Sequence, residues 1–86
     1  MNFRLLVDFE VVEYMGSLPR RDRLLLRQRF LQIHDFPGNF SDYKESDATG
    51  RTVHINICGR YAIKYWADFA DRHIKILDLR LADRGK

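Results

Sequence analysis

The sequence predicts an α+β fold: an N-terminal strand, a two-helix hairpin, then a three-stranded antiparallel meander, with the helices packed on one face of the sheet. Three observations predict it. Residues 52–57 alternate Val53, Ile55 and Ile57 against Thr52, His54 and Asn56, the period-2 pattern of a strand. Residues 19–34 place Leu26, Phe30 and Ile33 at helical spacing. Short turn segments, Cys58-Gly59-Arg60 and residues 68–72, separate the later apolar runs, so those strands lie side by side.

Residues 3–7 form a short β-type run that ends at Asp8, a helix-capping residue. From 9 to 17, Val11, Met15 and Leu18 recur at i, i+4 and i+7, and Glu10 and Glu13 sit early, where the helix dipole favours acids. Gly16 ends that helix, and Pro19 suits the first turn of the next. The second helix carries Arg20, Arg23 and Arg27 along a flank and stops at Phe36-Pro37-Gly38. A polar connection follows over 38–51, with 43–45 as a strand stub. Gly59 offers the positive φ of a tight hairpin between strands at 52–57 and 61–67, and a third strand spans 73–81. The first strand returns past two helices to pair with one of these.

Eighty-six residues make a single domain, 1–86, that buries roughly 60–65% of its unfolded surface. Stability is therefore expected to be marginal, and a partner would raise it. The hydrophobic fraction of 45% and charged fraction of 31% exclude a disordered chain. No apolar run approaches 18 residues, and the first residues lack the apolar stretch of a signal peptide, so a cytoplasmic location without membrane contact is expected. Cys58, the only cysteine, excludes an internal disulfide and fits a reducing compartment. Residues 1–50 carry seven Lys/Arg and eight Asp/Glu, a balance of −1, whereas 51–86 carry eight and four, a balance of +4. The positive field of the C-terminal half suits a polyanion or a solvated surface.

The order of elements, together with Gly50-Arg51, the run Gly59-Arg60-Tyr61-Ala62-Ile63-Lys64-Tyr65, Ile74-Lys75-Ile76-Leu77 and Ala82-Asp83-Arg84, resembles the RelE/ParE superfamily of toxins from bacterial toxin–antitoxin pairs. The resemblance covers nearly the whole chain. It implies a cleft on the uncovered sheet face, a cognate antitoxin as partner and, in the RelE-like branch, messenger RNA cleavage on the ribosome with the 2′-hydroxyl as nucleophile. The ParE-like branch instead inhibits DNA gyrase without catalysis, and an inactive member of the fold is a third reading. Homo-oligomerisation is left open.

Carried over by position, the match is partial. Members with ribosomal nuclease activity hold cleft-side lysines on the second strand, where this chain has His54 and Asn56. The arginine expected after the first strand tyrosine is Ala62, with Lys64 two residues on and on the same face. Arg84 matches the arginine past the last strand, and no aromatic follows it. The catalytic set implied is Lys64 and Arg84, which stabilise phosphate oxygens, with His54 as base. Arg51, Arg60 and Arg80 are the expected phosphate contacts and Trp66 a base-stacking platform. Against this, His54 also suits an exposed strand, Lys64 a snorkelling edge residue, Trp66 a sealed sheet edge, and Arg80 and Arg84 pairs with Asp78 and Asp83. No histidine pair has metal-ligand spacing, no carboxylate pair stands out, and no phosphate loop or nucleophile elbow is present, so neither a metal nor a cofactor is expected.

Overall fold

The computed structural model describes residues 3–82. The chain runs β1 (Arg4–Val7), α1 (Phe9–Gly16), α2 (Arg20–Asp35), a one-turn 3-10 helix (Pro37–Phe40), β2 (Tyr43–Ser46), β3 (Thr52–Cys58), β4 (Tyr61–Asp68) and β5 (His73–Leu81). All five strands form one sheet in the order β1-β5-β4-β3-β2. The first strand is parallel to β5 and every other pair is antiparallel, so the sheet is mixed. The stub expected at 43–45 is a full partner of β3, which gives the meander a fourth strand. Its turn is built by Asp47, whose carboxylate accepts the Thr49 and Arg51 amides at 3.0 Å each, and by Gly50 at φ +83°.

Local chemistry sets the helix ends. The Asp8 carboxylate accepts the Phe9 amide at 3.0 Å and starts α1. Gly16 is the last residue of α1, and the Ser17 hydroxyl donates to the Tyr14 carbonyl at 2.6 Å. Pro19 caps α2 with its carbonyl, which accepts the Asp22 and Arg23 amides. The buried stripe of α2 is Leu26, Phe30 and Ile33, as its spacing predicts. That stripe and Val11 pack on Tyr61, Ile63, Tyr65, Ile74, Ile76 and Leu79 from β4 and β5. Gly59 takes φ +61° at the first of the two turn residues joining β3 to β4, the pattern of a type II′ hairpin.

Several polar groups at the rim of this core are paired. The Tyr61 hydroxyl donates to the Asp22 carboxylate at 2.5 Å, and that bond is the main cause holding the carboxyl below its usual range. Asn56 is buried; its amide donates to the Phe40 carbonyl at 3.0 Å and to Asp42 at 3.2 Å, and its oxygen accepts from Arg29 at 2.9 Å. These bonds tie the segment after α2 to β3. The His34 imidazole bridges the Phe3 carbonyl and the Asp35 carboxylate, and so ties α2 to the start of β1.

Two predictions follow from this packing. Leu26 is fully buried, so Leu26→Ala should destabilise the domain by about 2–5 kcal/mol. Against a total of roughly 5–15 kcal/mol, the urea midpoint should fall sharply. The bond to Phe3, then Asp35, raises the His34 pKa above 6.5. Its stabilisation is therefore complete below that value and is lost as pH rises through the folded-state pKa. Urea unfolding from about pH 5 to pH 9 should show the decline, and His34→Ala should flatten it.

Candidate functional site on the open face of the sheet

The helices cover one face of the sheet, and strand register defines what the other presents. On β4 that face carries Ala62, Lys64 and Trp66, because Tyr61, Ile63 and Tyr65 point into the core. Opposite Lys64 stand Ile55 of β3 and Asp78 of β5; opposite Ala62 stand Ile57 and Arg80; opposite Trp66 stands Lys75. Tyr43 and Glu45 of β2 complete the wall, paired with Ile55 and Val53. Of these, Tyr43, Glu45, Ile55, Ala62, Lys64, Asp78 and Arg80, with Leu81, line a cleft of about 240 Å³, with the small Ala62 side chain leaving space at its floor.

Each cation there has an anionic or aromatic partner. The Lys64 ammonium is 3.4 Å from the Glu45 carboxylate. Arg80 donates through Nε at 2.8 Å, and through a second N–H, to Asp78. The Arg51 guanidinium lies 4.2 Å from the centre of the Trp66 ring and donates at 2.7 Å to Asp47. The Lys75 ammonium is 5.0 Å from the same ring. These ion pairs are partly exposed and weakly held, so an incoming phosphate can compete for the cations.

Of the residues singled out from sequence, the structure brings Lys64, Arg80, Trp66 and Arg51 to this one face. It does not bring His54. That residue pairs in register with Tyr65, stacks on its ring at 5.2 Å between centroids, and makes a 2.8 Å hydrogen bond with the Ser41 hydroxyl. Its side chain is therefore on the helix-facing side, where burial first and the Lys44 charge second push its pKa down. The expected placement of His54 and Asn56 in the cleft is corrected for a physical reason. The segment after α2 supplies hydrogen-bond partners to the polar edge of β3, so the apolar edge, Val53 and Ile55, takes the open side. Arg60 is also elsewhere, in the β3–β4 turn at 3.2 Å from Asp22. Arg84 lies outside the described residues. Cys58 is buried, and that burial pushes its thiol pKa up, away from a reactive thiolate.

Sequence reasoning named the Arg80–Asp78 pair, which the structure shows, and missed Glu45, Asp47 and Lys75 as members of this face. Lys75 was findable, since alternation from His73 sets it opposite Trp66; the two missed acids depended on β2 and its turn.

Solved structures provide the comparison. RelE in an archaeal RelE–RelB complex from Pyrococcus horikoshii OT3 superposes with a TM-score of 0.81 at 24% identity, covering 99% of this chain and 100% of that one. The chain has the RelE fold. The isolated E. coli RelE toxin matches at a TM-score of 0.68 and 13% identity, over 99% of this chain and 89% of its own. The chain in the intact E. coli RelBE toxin–antitoxin complex matches at 0.63 and 15%, over 96% and 100%. No protein-family model and no curated protein matches the sequence. No helix among the described residues is long and apolar enough to cross a membrane.

The Asp47–Arg51–Trp66 arrangement makes a prediction. Hydrogen bonds from Thr49 first, and then from Arg51, bring the Asp47 pKa down to about 2. A depressed carboxyl stabilises above its ordinary value of 3.8 and loses that contribution as pH falls toward about 2. Trp66 is the chain's one tryptophan, so its emission reports on Arg51 directly. Emission should change between about pH 4 and pH 2, and Asp47→Asn should abolish that transition.

Proposed function

We propose that this chain is the toxin of a toxin–antitoxin pair, acting in the cytoplasm, and that it blocks translation by cleaving messenger RNA on the ribosome. The observation that carries the reading is the end-to-end likeness to RelE as it stands in a RelE–RelB complex. The open face supports it chemically. Lys64 and Arg80 flank Ala62 and Asp78 in register, so a phosphate in the cleft would meet two cations on neighbouring strands. Phosphoryl transfer of this kind needs positioning and stabilisation of oxygens that gain charge, and both side chains supply it. Trp66, with Arg51 and Lys75 against its ring, offers a stacking surface and positive charge to a single strand. Arg84, three residues past β5, joins the set by its place in the sequence. His54 faces the helices, so the proton acceptor for the 2′-hydroxyl falls to a cleft carboxylate, Glu45 or Asp78.

The partner is a cognate antitoxin. On α2, Leu24, Arg27 and Leu31 share an exposed stripe at i, i+3 and i+7, with Leu24 and Leu31 each about half exposed. An amphipathic acidic segment fits that stripe, and burying the leucines would stabilise a small domain.

One observation favours a second reading, a non-enzymatic inhibitor that binds a protein such as DNA gyrase. Lys64 and Arg80 each face a carboxylate, and no imidazole shares the cleft among the described residues. Pulse-labelling of protein and DNA synthesis after induced expression separates the two. Protein synthesis should collapse first, and Lys64→Ala, Arg80→Ala or Arg84→Ala should each cut RNA cleavage by roughly 10²-fold while the circular dichroism stays native. Loss of DNA synthesis first, with RNA intact, would replace the nuclease reading by the gyrase one. Normal synthesis of both, from abundant folded protein, would leave a RelE fold without toxicity.

A further inference from the structure

The β4–β5 turn carries three donor groups that the reading above does not use. Asp68 ends β4, His73 begins β5, and the two are paired directly across the ladder. Asp71 lies between them in the turn. One ligand atom from each of Asp68, Asp71 and His73 lies within 4.8 Å of the others. Asp68 is buried at 8% exposure, while Asp71 is exposed and leaves a way in.

A turn-capping role explains part of this, because the Asp68 carboxylate accepts the Asp71 amide at 3.2 Å. It uses one of the two carboxylate oxygens and does nothing for His73. The Nδ1 atom of His73 is buried and has no hydrogen-bond partner among the described residues. A buried imidazole nitrogen left unpaired is costly and rare in folded proteins. A metal ion bound through Nδ1 would supply the missing interaction, and the two carboxylates the balancing charge.

We propose that Asp68, Asp71 and His73 form a binding site for a divalent transition-metal ion, with Zn²⁺ as the fitting member of that class. The donor set selects it. One nitrogen and two carboxylate oxygens suit Zn²⁺, whereas Mg²⁺ and Ca²⁺ take oxygen ligands alone. Tetrahedral Zn²⁺ with bonds of about 2.0–2.2 Å needs ligand atoms on the order of 3.3 Å apart, so small side-chain rotations within the 4.8 Å cluster close the site. Three protein ligands leave a fourth position for water. Because all three residues fall within six positions of sequence, the ion would clamp the β4–β5 hairpin at the end of the sheet, beyond Trp66 and Lys75.

The test uses the full untagged chain, stripped with chelator and titrated calorimetrically with Zn²⁺, then with Mg²⁺. The expected result is one Zn²⁺ per chain, a raised Tm and no response to Mg²⁺. His73→Gln and Asp71→Asn should each weaken Zn²⁺ binding about tenfold or more, with unchanged circular dichroism. Asp71 is exposed, so that variant keeps the fold even if His73→Gln does not. His34→Gln, at the other imidazole–carboxylate pair, should leave the stoichiometry at one. No heat at millimolar Zn²⁺, or binding that survives both His73→Gln and Asp71→Asn, would overturn the proposal.

Discussion

The burial of one helical stripe against two strands organises this molecule. Leu26, Phe30 and Ile33 of α2 meet Tyr61, Ile63, Tyr65, Ile74 and Ile76, and most of these are at or near zero exposure. In a chain this short, little else is available to hold β4 and β5 in place. Both helices are committed to the same side, since α1 adds Val11 to the same cluster. No helix covers the opposite face, so apart from Val53 and Ile55, which are buried there, what it presents must be tolerable in water. The charged and aromatic content of the cleft is thus a consequence of where the core lies, before any function is considered.

That constraint shapes the electrostatics of the open face. Cations set side by side on a sheet repel unless something intervenes. Here Glu45 and Asp78 sit beside Lys64 and Arg80, and Trp66 lies against Arg51 and Lys75. The carboxylates keep the free face stable, and a bound phosphate would take their place. The same pairs fit a protein-binding face equally well at the level of charge, which is why kinetic separation of protein and DNA synthesis, rather than geometry, distinguishes the two readings. On the nuclease reading proposed above, His54, held against Tyr65 and Ser41, would leave the cleft carboxylates as the candidate proton acceptors.

Most of the architecture was legible in the sequence, because strong periodicity reports strong burial. The stripe of α2 read correctly, and Ala62 and Lys64 share one face of β4 as expected. Periodicity gives the existence of two faces, and the assignment of each face needs partners. In β3 the resemblance put His54 and Asn56 on the cleft side. In fact Arg29, Phe40 and Asp42 satisfy Asn56 on the helix side, and Ser41 satisfies His54. Those partners come from the irregular segment after α2, which carries no periodic signal. The Asp68, Asp71 and His73 cluster escaped for a related reason: its spacing matches no histidine-pair motif, and only the cross-strand pairing of Asp68 with His73 closes it.

The placement of Asp78 and Arg80 depends on one irregularity in β5. Ile74 and Ile76 point into the core, so strict alternation would send Asp78 and Arg80 inward and Leu79 outward. Between Lys64 and Tyr65 of β4 the register shifts, with Tyr65 opposite Ile76 and Lys64 opposite Asp78, and Leu77 is the extra residue. A bulge inserts one residue and exchanges the faces of everything after it. Leu79 then joins the core, and Asp78 and Arg80 turn to the cleft beside Lys64. The run Ile76-Leu77-Asp78-Leu79-Arg80 records the shift as two adjacent apolar residues before alternation resumes. Without it, a buried carboxylate and guanidinium would oppose the α2 stripe, a desolvation penalty that the present core has no groups to offset. The bulge thus serves the core and the cleft together, and it couples the packing of α2 to the charge pattern of the face that α2 never touches.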